Sequence, residues 1–263
     1  MKTSQVIDHI VNWLKNYLQD SGQKGFVIGV SGGIDSAVTS KLLALTGLPV
    51  LCVEMPIHQN QDQVSRALKH IKGLQKEHTN VSMTSVDLSR VFDLFIDELP
   101  QVTDSDERAM SLVNSRARLR MTTLYYFAAL NRYIVAGTGN KVEDFGVGFY
   151  TKYGDGGVDI SPIADLLKTE VYAVGKELGI ISEIMQAPPT DGLWGDDRSD
   201  EDQIGASYPE LEWAMKQKEM HKKPGDFEGR EREVYEIYLH QNRINQHKML
   251  PIPVCEIPSK LKD

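Results

Sequence analysis

The strongest constraint on this chain is an alternation of short, strand-like apolar runs with helical patterns. The runs are residues 25–30 (GFVIGV), 50–55 (VLCVEM), 81–88 (VSMTSVDL) and 133–138 (YIVAGT). A strand covered on both faces reads as a nearly continuous apolar run, whereas a strand with one wet face alternates. Between the runs, Val38, Leu42 and Leu45 fall at i, i+4 and i+7 before Gly47 and Pro49 stop the pattern. Asn60 opens a second helical stretch, with Gln63 placed as a capping-box partner and Val64, Ala67, Leu68 and Ile71 as its apolar stripe. Val91, Leu94, Phe95 and Leu99 supply a third helical face, and a long helix is expected over 106–131. Crossovers of this length suit parallel pairing. The expected fold is therefore α/β, an open doubly wound parallel sheet flanked by helices.

The chain changes character after Gly139. Residues 145–162 are glycine-rich and poor in helix formers, a helix follows at about 168–178, and 188–202 is a loop rich in proline, glycine and aspartate. Long loops in a compact domain usually carry function. Residues 207–220 and 229–246 read as a C-terminal helical extension, followed by a proline-broken tail. We read 1–263 as a single domain with that extension. The 29 basic residues against 37 acidic ones leave a net charge of −8, which argues against a nucleic-acid partner. No run approaches the roughly 18 apolar residues of a membrane span. Met1 to Ile10 lack a signal-peptide pattern, and Cys52 and Cys255 are too few for a disulfide framework. The expected setting is cytoplasmic, with no membrane partner.

In an open α/β sheet, ligands bind beyond the carboxyl ends of the strands. The first such place here is Gly29-Val30-Ser31-Gly32-Gly33-Ile34-Asp35-Ser36. Ser31, Gly32 and Gly33 can turn backbone N–H groups toward an anion, and the helix N-terminus adds partial positive charge. The segment is neither a Walker A loop, for it has no Gly-Lys-Ser/Thr, nor a G-x-G-x-x-G fingerprint. It also places Asp35 inside a phosphate cradle. A divalent cation between that carboxylate and the phosphates would remove the repulsion.

With those residues in view, SGGIDS resembles the pyrophosphate-binding loop of the N-type ATP pyrophosphatases, which cleave ATP between the α and β phosphates to adenylate an oxygen. Further segments resemble the NAD synthetase family within that group. They are Asn114 to Met121 (NSRARLRM), Gly137-Thr138 followed by Glu143, Tyr150 to Asp159 (YTKYGDGGVD), Pro189 to Leu193 (PTDGL) and His247-Lys248. The resemblance spans roughly residues 5–250. The sequence departs from the family pattern twice. Thr138-Gly139-Asn140 stands where Thr-Asp-His or Thr-Asn-Lys is commoner, and Phe145 to Phe149 holds one extra residue.

The resemblance implies an adenine-nucleotide alpha-hydrolase-like fold and ATP-dependent amidation of deamido-NAD to NAD through an acyl-adenylate. Gly29 to Ser36, Met55, Thr138, Lys168 and Thr190 would bind ATP, with Lys168 on a phosphate and Met55 on adenine. Asp35 and Glu143 would hold Mg²⁺. Arg118, Lys152, Asp159, His247 and Lys248 would bind the substrate. Arg116, Arg118 and Arg120 point about 200° apart on a helix, so one faces the site; the family pattern selects Arg118 and leaves the others to surface ion pairs. Asp155 is expected to attract ammonium and accept its proton, since only neutral ammonia is a nucleophile. The chain leaves no room for a glutaminase domain, so free ammonia is the expected nitrogen donor. A homodimer is also implied. Two alternatives stay open: an ATP pyrophosphatase acting on a different carboxylate, and a nucleotide-binding module without turnover.

Overall fold

The computed structural model describes residues 1–190 and 199–262. Within them the four expected strands form: β1 (Gly25–Gly29), β2 (Val50–Glu54), β3 (Val81–Ser85) and β4 (Tyr133–Val135). They pair in parallel in the order β3-β2-β1-β4, with Phe26 opposite both Val50 and Ile134. β3 stops at Ser85 rather than reaching residue 88 because β2 ends at Glu54 and Pro56 cannot donate to a ladder. β4 is short too, and an isolated bridge from Ala136 to Ile160 continues its direction.

Period-two alternation sorts the strand side chains onto two covered faces. Phe26, Ile28, Cys52 and Ile134 pack under α1 (Thr3–Ser21), α2 (Ile34–Leu45), α3 (Gln61–Glu77) and α6 (Lys168–Glu177). Val27, Val53 and Val135 face α4 (Ser89–Asp97) and α5 (Asp106–Asn131). Each fully buried aliphatic or aromatic side chain contributes roughly 1.5–3 kcal/mol. α1 was not anticipated. Its Ile7, Ile10, Val11, Leu14 and Leu18 form a helical stripe buried in the first of these layers.

Two local expectations are corrected. α4 forms, but Val91, Leu94, Phe95 and Leu99 are exposed. This short helix docks instead through Phe92, which is buried with the Arg116 guanidinium 4.6 Å from its ring centroid. At the start of α3 no capping box forms. The Asn60 side chain accepts from the Asp62 N–H at 2.8 Å, while the Gln63 side chain accepts from Gln59.

A third apolar cluster lies to the side of the sheet. It joins a π turn, Val142–Val147, to α8 (Asp200–Ile204), α9 (Tyr208–Glu219) and α10 (Gly229–Ile244). The small helices α7 (Ser182–Met185) and α11 (Gln246–Met249) flank these elements. The C-terminal extension therefore packs directly on the segment that follows β4. No helix among the described residues is long and apolar enough to cross a membrane. The strand order reverses between β1 and β4, and in such sheets the crevice at that reversal is the ligand site.

Candidate active site

The loop after β1 is held by its own serine hydroxyls while the start of α2 stays uncapped. Ser36 Oγ accepts from the Ser31 N–H at 3.2 Å, Gly33 N–H donates to Ser31 Oγ at 3.3 Å, and no side chain caps α2 at Gly33. The first N–H groups of α2 thus face the crevice with the positive end of the helix. Gly32 holds a φ of +86°, and a Cβ there would lie 2.6 Å from the Gln63 carbonyl oxygen of α3. Only glycine satisfies both conditions.

A buried ionic cluster closes one wall. Lys168, the first residue of α6, is 3% exposed, and its Nζ donates to Asp35 Oδ2 at 2.6 Å and to Glu143 Oε1 at 3.0 Å. The fully buried Asn140 donates to Asp35 Oδ1 at 3.1 Å and accepts from the backbone N–H of Val142 and of Glu143. Tyr208 donates to Glu143 Oε1 at 2.5 Å and touches Asp200 Oδ2 at 3.2 Å, its ring 4.7 Å from Lys168 Nζ. Burial raises the pKa of Asp35. At Glu143 burial acts the same way but is outweighed by the Lys168 charge and the Tyr208 hydrogen bond, so its pKa is lowered. Burial would lower the pKa of Lys168, but its two carboxylates prevail and raise it.

Two cavities meet here. One, of about 140 Å³, is lined by residues 31–36, Arg66, Glu143, Asp144, Lys168 and Thr190. The other, of about 230 Å³, is apolar and lined by Gly29, Val30, Met55, Arg120, Leu124 and Val158. Ser31, Ser36, Gln59, Thr138 and Asp155 line both. Asp155 thus stands at the junction, its Oδ1 accepting the Thr151 N–H at 2.9 Å. Arg120, expected at the surface, lines the apolar cavity and donates to the Met55 carbonyl at 3.0 Å and to Gln59 at 2.6 Å.

The residues expected by resemblance to bind substrate are engaged with other parts of the protein. Arg118 is directed at the Lys152 carbonyl at 3.3–3.4 Å, and Lys152 Nζ donates to the His247 carbonyl. Lys248 Nζ donates to the carbonyls of Gly148 and Tyr150, each at 2.8 Å. Asp159 accepts from the Tyr125 hydroxyl at 2.9 Å and the Val135 N–H at 2.8 Å. These five residues line neither cavity. From the expected PTDGL segment, Pro189 and Thr190 line the smaller cavity, while Asp191, Gly192 and Leu193 lie outside the described residues.

Both departures from the family pattern fall on one stretch of backbone, and within it Val142–Val147 is a π turn. Asn242 Nδ2 donates to the Gly146 carbonyl at 2.7 Å and Asn245 Nδ2 to the Val147 carbonyl at 2.8 Å, with Lys248 continuing the series at Gly148. The widened turn swings Asp144 back over Gly139, where a Cβ would lie 2.2 Å from either carboxylate oxygen. Asp144 therefore occupies the space that a side chain at residue 139 would need. Burial and the nearby Glu143, Asp155 and Asp35 push its pKa up to about 8.

Asn140, Tyr208, Asp200, Arg66 and Asp144 were not singled out from sequence. Asn140 had a visible signal, as a departure beside Thr138. Tyr208 had none, because Ser207 and Pro209 mark a helix start without saying where the hydroxyl points. Among the described residues no three His, Cys, Asp or Glu side chains form a ready metal site. The Asp35–Glu143 pair nevertheless brackets one cationic nitrogen, so its donor set suits a cation.

Comparisons with known proteins show the family of the chain. Residues 6–251 match the family described as NAD synthase. The NH(3)-dependent NAD(+) synthetase of Alkaliphilus metalliredigens is 35% identical over 266 residues, covering 96% of this chain and 99% of that one. The enzyme of that name from Carboxydothermus hydrogenoformans is 36% identical over 207 residues, 78% of this chain and 82% of the relative. The solved NMN synthetase of Francisella tularensis superposes with a TM-score of 0.85 and 29% identity, covering 98% and 100% of the two chains.

Gly139→Ala should cost about 1–3 kcal/mol by overpacking, and Asp144→Ala in the same chain should recover most of that loss. A double-mutant cycle by urea denaturation should give a coupling of at least about 1 kcal/mol; additive effects would contradict the contact. Lys168→Met should destabilise the fold by about 3–5 kcal/mol at pH 7, because it strands two largely buried carboxylates. The lysine's contribution is present below its unfolded pKa of about 10.4, and that of Glu143 above its unfolded value of about 4.3. The deficit should therefore be widest between those limits and shrink in acid as Asp35 and Glu143 take protons. A deficit that does not vary with pH would contradict the ionic cluster.

Proposed function

The chain belongs to the NAD synthase family, and on that premise we propose that it converts deamido-NAD to NAD with ATP and ammonia. The carrying observation is the junction of the two cavities: a donor-rich loop and a cation-bracketing carboxylate pair on one side, an apolar pocket on the other, and Asp155 between them. In this reading the apolar cavity takes the adenine against Met55 and Leu124. The loop 31–36 and the α2 N-terminus take the phosphates, with Thr138, Lys168 and Thr190 beside them. Mg²⁺, when bound, would be held by Asp35 and Glu143 and would neutralise phosphate charge.

The chemistry needs positioning more than acid–base groups. A substrate carboxylate oxygen bonds to the α phosphorus, the α–β bridge breaks and pyrophosphate leaves. Ammonia then bonds to the acyl carbon and AMP departs with the transferred oxygen. Asp155 accepts the proton that ammonium must lose. Free ammonia as donor is supported by the names of the relatives. Arg118, Lys152, Asp159, His247 and Lys248 remain our substrate group, with Arg118, Lys152 and His247 joined in a chain of hydrogen bonds.

A second reading is favoured by the likeness to the Francisella NMN synthetase: the acid amidated is the mononucleotide rather than the dinucleotide. We also propose a homodimer, with exposed Leu94, Phe95 and Leu99 available to the contact.

With its acid substrate, ATP, Mg²⁺ and ammonium all present, the chain should release AMP, pyrophosphate and amide in equal amounts. Comparing kcat/KM for deamido-NAD and its acid mononucleotide decides between the two readings; ADP and phosphate would refute both. Asp155→Asn should slow turnover by about 10²–10⁴-fold and change how the ammonium KM varies with pH. An unchanged ammonium dependence removes Asp155 from that role. Sedimentation equilibrium at micromolar concentration should give twice the chain mass, and a monomer would dismiss the dimer.

A further inference from the structure

α3 crosses the β1–α2 loop in tight contact with Gly32. A Cβ on Gly32 would meet the Gln63 carbonyl oxygen at 2.6 Å, the Ala67 nitrogen at 3.1 Å and Arg66 Cβ at 3.4 Å. The Arg66 side chain therefore starts beside the phosphate loop, and it lines the cavity formed by residues 31–36 but not the apolar cavity. Its Nε is buried and has no hydrogen-bond partner. A buried, unsatisfied donor in a folded protein calls for an explanation. Carboxylates are close at hand, since Asp35, Glu143, Asp144 and Asp200 line the same cavity. Among the described residues that line it, the cations are Arg66 and Lys168. Lys168 is paired with Asp35 and Glu143, whereas Arg66 has no ion pair among the described residues.

We infer that Arg66 is a ligand of the leaving pyrophosphate, its guanidinium completing the anion cradle that the loop 31–36 begins. A planar guanidinium presents paired donors that match phosphate oxygens, which a backbone loop alone cannot supply from the α3 side. The inference rests on the ATP-dependent reading above and adds a residue that no family motif in this sequence marks. Because Arg66 is absent from the apolar cavity, it should act on the pyrophosphate half of ATP and not on the adenylate half. As a pyrophosphate contact it would hold the β and γ phosphates in line and shield their charge as the α–β bridge breaks.

The test is calorimetry of the full chain with Mg²⁺ and either pyrophosphate or AMP as sole ligand, alongside steady-state kinetics. Arg66→Gln keeps the stem against Gly32. It should weaken pyrophosphate binding about tenfold to a hundredfold, raise the KM for ATP, and leave AMP affinity within about twofold. Arg66→Lys should recover part of the pyrophosphate affinity, and it serves if the glutamine variant fails to fold. Pyrophosphate affinity equal to wild type in either variant, or an equal loss for AMP, would overturn the assignment. If the wild type binds pyrophosphate through Arg66 yet forms no amide, the binding role stands and the amidation reading falls.

Discussion

The site depends on one interaction, a lysine ammonium held between two carboxylates with almost no access to water. Lys168 joins three parts that are distant in sequence: the α2 start through Asp35, the segment after β4 through Glu143, and α6 itself. Tyr208 adds the helical extension by donating to Glu143. Such clusters are poor devices for stability, because desolvation consumes most of the Coulomb gain. They suit a site that must later accept other charges, since the geometry is already set. Asn140 is part of the same economy, with its amide donating to Asp35 and its oxygen taking two backbone N–H groups.

The C-terminal extension follows from how that cluster is carried. Glu143 sits in a π turn, a geometry that leaves carbonyls without their usual helical partners. Asn242, Asn245 and Lys248 supply donors to three successive carbonyls. The apolar cluster of Val142 and Val147 with Tyr208, Leu211 and Tyr238 seals the other side. The extension is thus a support for one loop of the site. The same turn explains why residue 139 is glycine, for the Asp144 carboxylate occupies the space of its side chain.

In an acidic chain, positive potential must be concentrated locally to attract an anion. Several basic side chains near the site are engaged with protein oxygen: Lys152 and Lys248 with carbonyls, Arg120 with a carbonyl and a glutamine. The positive groups that line the smaller cavity are the uncapped α2 N-terminus, Arg66 and Lys168. This placement confines attraction to the crevice, while the −8 balance repels anions elsewhere.

The sequence by itself determined the alternating elements, the parallel doubly wound sheet and the loop at its first strand–helix turn. These follow from local rules: continuous apolar runs, helical periodicity, and glycines where backbone must approach a ligand closely. It also supplied the carboxylate pair, Asp35 and Glu143, since each stands in a motif of its own. Only tertiary structure decided that these carboxylates share Lys168, that Arg120 rather than Arg118 faces the apolar cavity, that the face of Leu94 and Phe95 stays exposed, and that Arg66 lies against Gly32. The reason is physical. A side chain's partner across 30 to 130 residues is set by how helices cross over the sheet, and a one-residue change in a single turn redirects it. Local pattern places a residue on an element; packing chooses what it touches.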